Sequence, residues 1–570
     1  MKWVLRDAAS EPAELKSLNL NPITLQLLLQ RNFFSKKEIL KFLNTRFEDL
    51  HSSSGLSGVK EAIKRIRQSR ENGEKVVIFG DYDADGITST ILLKEALEQI
   101  GVNPQTYIPD RNNEGYGLNK KALDFIKKEH NPQLLMTVDC GISNWEEVEY
   151  ARKLGMDVII TDHHSIPQKI PKKCIIINPK LPKQEYQFKD LAGVGVAFKL
   201  SCALWEELIP KNIPQIKWFL DIVAIGTIAD CVPLIDENRI FAKFGLIVLQ
   251  KTKRIGIQEI IKTARINIDE KNPPNAESIA YQIGPRFNAS GRMDHADFTL
   301  NLLAEKDPVK ARMAALEVES KNSERQKVTQ QVLSEVKSTL EKDKEYHLII
   351  RKGRRWPLGI LGVVAGKIAD EYRCPVFILR EGKDLLEGSG RSIDVFDLIS
   401  SVSQLDNLIE KYGGHSQAMG LKIKPKNLAK FENKLLEIID ANYDKKTWGK
   451  NIVIDIGIKA ENIDWDVLSE IKKFEPFGEG NREPVFLSED LLIENIKLVG
   501  NGQKHIKFLF KAKSGASKIF EGIFFKNGDR FEEFKAKDEV SVVYNMRTNE
   551  WNGNHKIELH VIDIKKKQLT

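Results

Sequence analysis

The chain has 570 residues, 41% hydrophobic and 29% charged, with a formal net charge of +7. That length exceeds what one hydrophobic core supports, so roughly three or four domains of an ordinary soluble protein are expected. No run approaches the ~20 apolar residues of a membrane span, and the mild positive charge permits a nucleic-acid partner without demanding one.

The amino terminus, MKWVLRDAASEPAEL, lacks the apolar core of a signal peptide. Five scattered cysteines (Cys140, Cys174, Cys202, Cys231, Cys374) form no C-x-x-C pair and point to a reducing, cytoplasmic setting. Residues 1–50 read as short polar and amphipathic helices. Strand and helix signals then alternate to about 300, with apolar runs at Val76–Phe79, Leu134–Val138, Val158–Thr161 and Cys174–Ile177. Such alternation predicts a mostly parallel sheet with helices on both faces. Next comes a long polar helix, with Asp307 as N-cap, Pro308 as first helical residue and no Gly or Pro before about Lys344. It is expected to bridge two domains, a broken helix being the alternative. A second α/β unit follows, rich in glycine at GSGRS and GGHSQAMG. From about 486 onward, runs such as HIKFLFKA, KIFEGIFF, EVSVVYNM and KIELHVIDI alternate with polar turns, as in a small barrel.

The segment KVVIFGDYDADGIT places Asp81, Asp83 and Asp85 at alternate positions before Gly86. Carboxylates this close raise one another's pKa unless a cation or a donor array neutralises them. D-x-D-x-D-G also begins an EF-hand calcium loop. That loop requires Glu at its twelfth position, here Leu92, and a helix in front, where Val76–Phe79 reads as a strand. The calcium reading is set aside.

Asp139 follows the second strand in VDCG, and Asp162, His163 and His164 follow the third in TDHH. Asp230 stands in GTIADCVPL after a further apolar segment. One Asp after a strand is commonly a turn or helix cap. Four acidic clusters on one edge of such a sheet, with adjacent histidines, are expected to converge instead on one crevice. So many carboxylates cannot all ionise in a dry site without metal. Oxygen ligands with one or two imidazoles suit manganese or magnesium, and no sulfur set for structural zinc is present. Two such ions about 3.5–4 Å apart clamp the attacking and leaving oxygens of a phosphoryl displacement.

In order and separation, DYDADG, VDCG, TDHH and IADCVPL resemble the four motifs of the DHH phosphoesterase superfamily. PDRNNEGYGL (109–118), LAGVGVAFKL (191–200), GPRFNASGRM (284–293), GSGRS (388–392), GGHSQAMG (413–420) and FEPFGEGNREPVF (474–486) narrow the resemblance to the RecJ family of single-strand-specific exonucleases. It covers nearly the whole chain. It implies two α/β domains, a parallel-sheet DHH domain (51–305) and a smaller DHHA1 domain (346–450), joined by a long helix (306–345). A helical segment (1–50) precedes them, and an all-β OB-fold (451–570) follows. It further implies that Asp81, Asp83 and Asp139 hold one of two Mn2+ or Mg2+ ions, and that Asp85, Asp139, His163 and Asp230 hold the other. His164 would face the scissile phosphate, with Asp162 orienting a neighbour. The cysteines at 140 and 231 are read as buried packing residues.

GSGRS read alone is a hairpin or loop, but in the family's second domain this segment meets substrate. Its glycines admit backbone N–H groups to a phosphate, and Ser389 and Arg391 add donors. Arg111, Arg286, Arg292 and His415 fall in matching motifs, with some of the arginines expected to grip a 5′ end; ordinary surface or interface arginine is the alternative for each. GVVAGKIAD mimics a P-loop but has the wrong glycine spacing and Ile368 in place of Ser/Thr. In the barrel, Phe508, Phe510, Phe520, Phe524, Tyr544 and Trp551 are expected to divide between core and base stacking, and the tail IKKKQLT is read as a solvated end. The expected protein is a cytoplasmic, monomeric, metal-dependent exonuclease that degrades single-stranded DNA from its 5′ end in repair and recombination. A single-strand-binding protein and a helicase are candidate partners, and no membrane is involved. The rivals are a DHH-family phosphodiesterase acting on short oligonucleotides or cyclic dinucleotides, and a non-catalytic scaffold.

Overall fold

Val76–Gly80 (β1) is buried along its whole length, as a central strand covered on both faces must be. Gln105–Tyr107 (β2), Leu134–Val138 (β3), Asp157–Thr161 (β4) and Ile175–Ile177 (β5) join it in a wholly parallel sheet of order β2-β1-β3-β4-β5. Winding reverses between β1 and β3, and at such a switch point the loops leaving neighbouring strands part to form a crevice. Asp81 leaves β1 there and Asp139 leaves β3. The structure is a computed structural model describing residues 2–111, 114–293, 295–341, 344–443, 448, 451–513, 518–551 and 554–567. Asn112, Asn113, the domain boundary at 450, the side chain of Trp551 and the last three tail residues lie outside the described residues.

The crevice is backed by three helices. Ala84–Gln99 follows β1 directly, and its first turns are buried together with Gly193–Leu208 and Leu220–Ala229. Leu92, the would-be calcium ligand, is fully buried inside the first of them. Cys140 is buried as expected, but Cys231 is exposed. It sits in the left-handed turn (φ 59°) that ends the third helix, not on a packed face.

The long helix is real and shorter than its uninterrupted sequence, Pro308–Ser338. Asp307 accepts from the N–H groups of Val309 and Lys310 at 2.9 Å each, which fixes its start. Ile349–Gly353 (β6), Val376–Glu381 (β7), Leu386–Arg391 (β8), Ile409–His415 (β9) and Ala418–Ile423 (β10) then build a sheet of order β9-β10-β8-β7-β6. Only β6 and β7 run parallel; the other pairs are antiparallel. Most of GSGRS therefore lies in strand β8. Its glycines permit close packing within the sheet instead of a turn: a Cβ on Gly388 would strike the Ile378 carbonyl, and one on Gly390 would strike the Phe377 ring.

The described chain divides into two compact units, Leu50–Gly449 and a second made of Met1–Asp49 with Lys450–Thr570. In the second, the amino-terminal segment is not all helix, because Lys2–Leu5 is a strand paired in parallel with Asn451–Ile454. Its helices Pro22–Leu29 and Lys36–Leu43 send Leu27, Leu28, Ile39 and Phe42 into the same core as Phe474, Phe486, Phe508 and Tyr544. Strands Phe486–Val499, His505–Ala512, Ile519–Phe524, Asn554–Lys566 and Glu539–Trp551 follow one another around a barrel that the first and last close by pairing.

Candidate active site

Asp83 is the N-cap of Ala84–Gln99, and its Oδ1 accepts from the N–H groups of Asp85 and Gly86 at 3.0 Å. The plain capping role is thus met by one oxygen, which leaves the other for a ligand. Asp85 is buried and accepts from the N–H groups of Gly193 (2.7 Å) and Val194 (2.8 Å) at the open start of the next helix. Asp139 sits in left-handed backbone (φ 58°), its N–H on the Thr161 carbonyl at 2.9 Å. A Cβ on Gly193 would lie 2.7 Å from the Asp139 Cβ and Oδ1, so this close approach requires glycine.

Asp162 is consumed by orientation. Its Oδ1 accepts from the N–H of His163 (2.7 Å), the N–H of His164 (3.0 Å) and His164 Nδ1 (2.8 Å), and its Oδ2 accepts from the Ile142 N–H (2.9 Å). His163 Nε2 lies 3.2 Å from Asp139 Oδ1, 3.6 Å from Asp230 Oδ2 and 3.9 Å from Asp85 Oδ2. Donor atoms of Asp81, Asp83 and Asp139 all lie within 4.8 Å of one another, and so do those of Asp85, His163 and Asp230. Asp139, His163 and His164 form a third such set.

The charges do not balance internally. Burial, then neighbouring carboxylates, pushes Asp81, Asp139 and Asp230 well above the carboxylate range, and pushes Asp85 up to about 7. Oδ1 of Asp81 and Oδ1 of Asp139 are buried without a hydrogen-bond partner. Burial and His164 bring His163 down to about 3, which keeps the imidazole neutral, as a metal ligand must be. Burial also opposes charge on the Asp162–His164 pair. Their mutual hydrogen bond wins, lowering the Asp162 carboxyl and raising the His164 imidazole. Orphaned oxygens, a neutral imidazole and an oxygen-rich donor set fit divalent cations of the magnesium and manganese kind.

Beside the cluster stand three arginines. Arg292 is pressed down to about 10 by burial and then by Arg111 and Arg325, while Asp83 pulls the other way. Burial and Arg111 lower Arg391 as well. Among the described residues, none of Arg111, Arg292 and Arg391 forms an ion pair. Arg111 lies over the Tyr82 ring at 5.0 Å, and Arg391 passes the helix Leu358–Tyr372 at Gly362, where a Cβ would meet its Nη2 at 2.5 Å. The GVVAGKIAD glycine thus clears a path for an arginine and serves no phosphate loop. In register, Arg391, Ala418 and His415 make one row of the sheet face, and Ser389, Gly420 and Gly413 the next. Gly413 and Gly420 are exposed and leave that face open. Arg286 differs in being paired. Its guanidinium is held by Glu319 (2.5 and 3.3 Å) and the Gln282 carbonyl (2.7 Å), so it is tied to the long helix as an interface residue.

The DHH family, N-terminal domain, matches residues 75–227, the DHHA1 domain matches 345–441 and the RecJ OB domain matches 454–563. A protein of Bacillus subtilis (strain 168) named single-stranded-DNA-specific exonuclease RecJ is 35% identical over 99% of this chain and 70% of its own length. The protein of that name in Haemophilus influenzae is 31% identical over 96% of each. The chain belongs to the RecJ family. The crystal structure of RecJ from Thermus thermophilus in complex with Mn2+ superposes on all of this chain and 80% of that one, with a TM-score of 0.82 at 26% identity. Within the RecJ OB domain, Phe508, Phe510, Phe520, Phe524 and Tyr544 are all buried, against the expectation that some stack on bases. Exposed aromatics there include Trp465 and Phe525, the latter edge-on to His505 and His560. Two further features of this chain carry little signal in its sequence. Tyr116 places its hydroxyl 3.2 Å from His164 Nδ1, and its position between two glycines in EGYGL was the available signal. Arg325, on the long helix, is near enough for its charge to act on Arg292, and nothing in its sequence context marks it.

Proposed function

We propose that this protein is a single-stranded-DNA-specific exonuclease that hydrolyses phosphodiester bonds from the 5′ end with two divalent cations, Mn2+ or Mg2+. The observation that carries the reading is two oxygen-rich donor sets, each within 4.8 Å, beside arginines that lack carboxylate partners. Asp81, Asp83 and Asp139 would hold one ion and Asp85, Asp139, His163 and Asp230 the other, with Asp139 shared. The ions supply positive charge and an activated water for in-line displacement. The chain's own residues do the rest. Asp162 holds the His164 imidazole at Nδ1 and favours its protonated form, so His164 offers positive charge to the scissile phosphate. Arg111, Arg292, Arg391 and Ser389 bind the terminal phosphate. A terminal phosphate carries more charge than an internal diester, and several crowded, unpaired guanidiniums suit that extra charge. The open face at Gly413 and Gly420, with His415 at its edge, admits the sugar–phosphate backbone.

Cys140, Cys174, Cys202 and Cys374 are free thiols, which supports a reducing cytoplasm. No described helix is long and apolar enough to cross a membrane. We further infer that the enzyme acts as a monomer in DNA repair and recombination. An enzyme confined to single strands depends on a helicase to expose them and on a single-strand-binding protein to keep them open. The OB domain argues against a dinucleotide hydrolase, which needs no surface beyond the cleft, and the complete ligand set argues against a scaffold. The test is hydrolysis of end-labelled single strands, a dinucleotide and a cyclic dinucleotide with Mn2+ and with Mg2+. Mononucleotides released first from the 5′ end are expected. First release from the 3′ end overturns the polarity, and turnover of the dinucleotides alone overturns the substrate.

A further inference from the structure

Asp230 is followed by a segment whose backbone is left-handed at both ends, at Cys231 (φ 59°) and Asp236 (φ 42°). Neither is glycine, so this path persists only where the surroundings hold it. The holding groups are visible. Asp236 Oδ1 lies 3.1 Å from His51 Nε2. Glu237 is fully buried; its Oε1 meets Lys199 Nζ at 2.8 Å and the His51 N–H at 3.0 Å, and its Oε2 accepts from the Tyr186 hydroxyl. Lys199 Nζ also donates to the His51 carbonyl. Asn238 ties the same segment to the carbonyls of Asp190 (2.5 Å) and Pro233 (3.0 Å).

Lys199 belongs to the helix Gly193–Leu208, whose first N–H groups hold Asp85. It stands six residues along, about 9 Å from that end at 1.5 Å per residue. One buried ion pair therefore fastens the helix whose first N–H groups hold Asp85 to the segment that follows Asp230. Both carboxylates belong with His163 to one donor set. A buried ion pair adds little stability over an apolar pair of equal volume, whereas its directional bonds fix a register.

We propose that the Lys199–Glu237 pair, with His51 and Tyr186, is a positioning device. It sets the separation of Asp85 and Asp230, and so the affinity of one metal site, without touching the metal. This rests on the two-ion reading above, and the experiment keeps the two apart. Mn2+ is titrated into the full-length protein and its free signal followed by electron paramagnetic resonance, with thermal melts of the metal-free protein alongside. The unaltered protein should bind two Mn2+; any other count overturns the two-ion reading and this inference with it. Glu237→Gln should keep one ion and weaken the other by about 10- to 100-fold, the range seen when groups supporting metal ligands are lost. The control is Asp221→Asn, which breaks a second buried ion pair, Asp221–Arg254, at the start of Leu220–Ala229, the helix that ends at Asp230. It should lower the melting temperature and leave both ions bound. Equal weakening of both ions in Glu237→Gln, no weakening, or the same loss in Asp221→Asn overturns the proposal. Should Glu237→Gln fail to fold, Tyr186→Phe removes one hydroxyl only. A smaller loss confined to one ion supports the proposal, and unchanged binding of both refutes it.

Discussion

Gly193→Ala adds one methyl group where the start of a buried helix meets the metal cluster. The new Cβ would stand 2.7 Å from Asp139 Cβ and Oδ1. Comfortable carbon contacts lie near 3.5–4.0 Å, so the helix end or Asp139 must retreat by about 1 Å. Neither moves alone, because the Gly193 N–H is bonded to Asp85 at 2.7 Å, and a retreating helix draws that carboxylate with it. The change therefore displaces one ligand of each donor set at once. A misplacement of about 1 Å at a reacting centre is worth roughly 100-fold in rate, or about 2.7 kcal/mol. Initial rates on a 5′-phosphorylated single strand at saturating Mn2+ should fall by that factor, while strand binding, assigned above by proposal to the arginines and the OB domain, should hold. Gly195→Ala is the control two residues on, where the nearest atoms are side-chain carbons of Leu191 at 3.3 Å and Phe241 at 3.4 Å. Rates within threefold of the unaltered enzyme for Gly193→Ala, or an equal loss for Gly195→Ala, would refute the reasoning.

Asp139→Asn should nearly abolish turnover and spare single-strand binding, since a neutral amide cannot hold two cations together; full Mn2+-dependent activity would remove Asp139 from the site. Arg391→Ala should lose roughly 10- to 150-fold in affinity on 5′-phosphorylated strands and little on blocked ones, the worth of a charge-assisted hydrogen bond. Arg286→Ala, which breaks the pair with Glu319, should lower the melting temperature and leave that end preference unchanged, as competition binding with the two strand types will show. Metal-free protein should lose stability as pH rises from about 4 toward 7, because Asp85, raised to about 7, and its neighbours hold protons in the folded state that the unfolded chain has released. Mn2+ should reverse that trend and raise the melting temperature more at pH 8 than at pH 5.5; a metal effect independent of pH would count against the cluster. Deleting 450–570 alone should give an aggregating protein, because Leu27, Leu28, Ile39 and Phe42 lose their core, whereas deleting 1–49 as well should leave a soluble unit with weakened, less salt-dependent binding to long strands, measured by anisotropy at two salt concentrations.

The candidate metal ligands are legible because β1, β3 and β4 are short, mostly apolar runs followed directly by acid, and parallel-sheet geometry alone brings such ends together. The helix start at Asp307–Pro308 was legible for a similarly local reason, a cap and a preset φ. Arg286 and Arg292 looked alike in one motif. They lie on one helix, Gly284–Met293, six residues and about 240° of turn apart, so they face different neighbours. The barrel aromatics Phe508, Phe510, Phe520, Phe524 and Tyr544 are all core because parity acts within each strand and not over the module as a whole. Phe508 and Phe510 share one parity within a strand, as do Phe520 and Phe524, so each pair points the same way. Pairing of Lys2–Leu5 with Asn451–Ile454 carries no local signal at all, since it joins positions far apart in the chain.

That pairing has a bearing on how the polypeptide is made. The Met1–Asp49 piece is finished early, yet the core it belongs to also needs Lys450–Thr570. At about 5–20 residues per second, the intervening 400 residues of Leu50–Gly449 take roughly 20–80 s to emerge. Through that interval the leucine-rich face of Pro22–Leu29 has no permanent cover, while the nuclease half has time to fold as a unit. A ribosome-associated holdase that shields short apolar helices would serve this chain at its first fifty residues more than anywhere later, and slowing translation near its end would prolong that exposure.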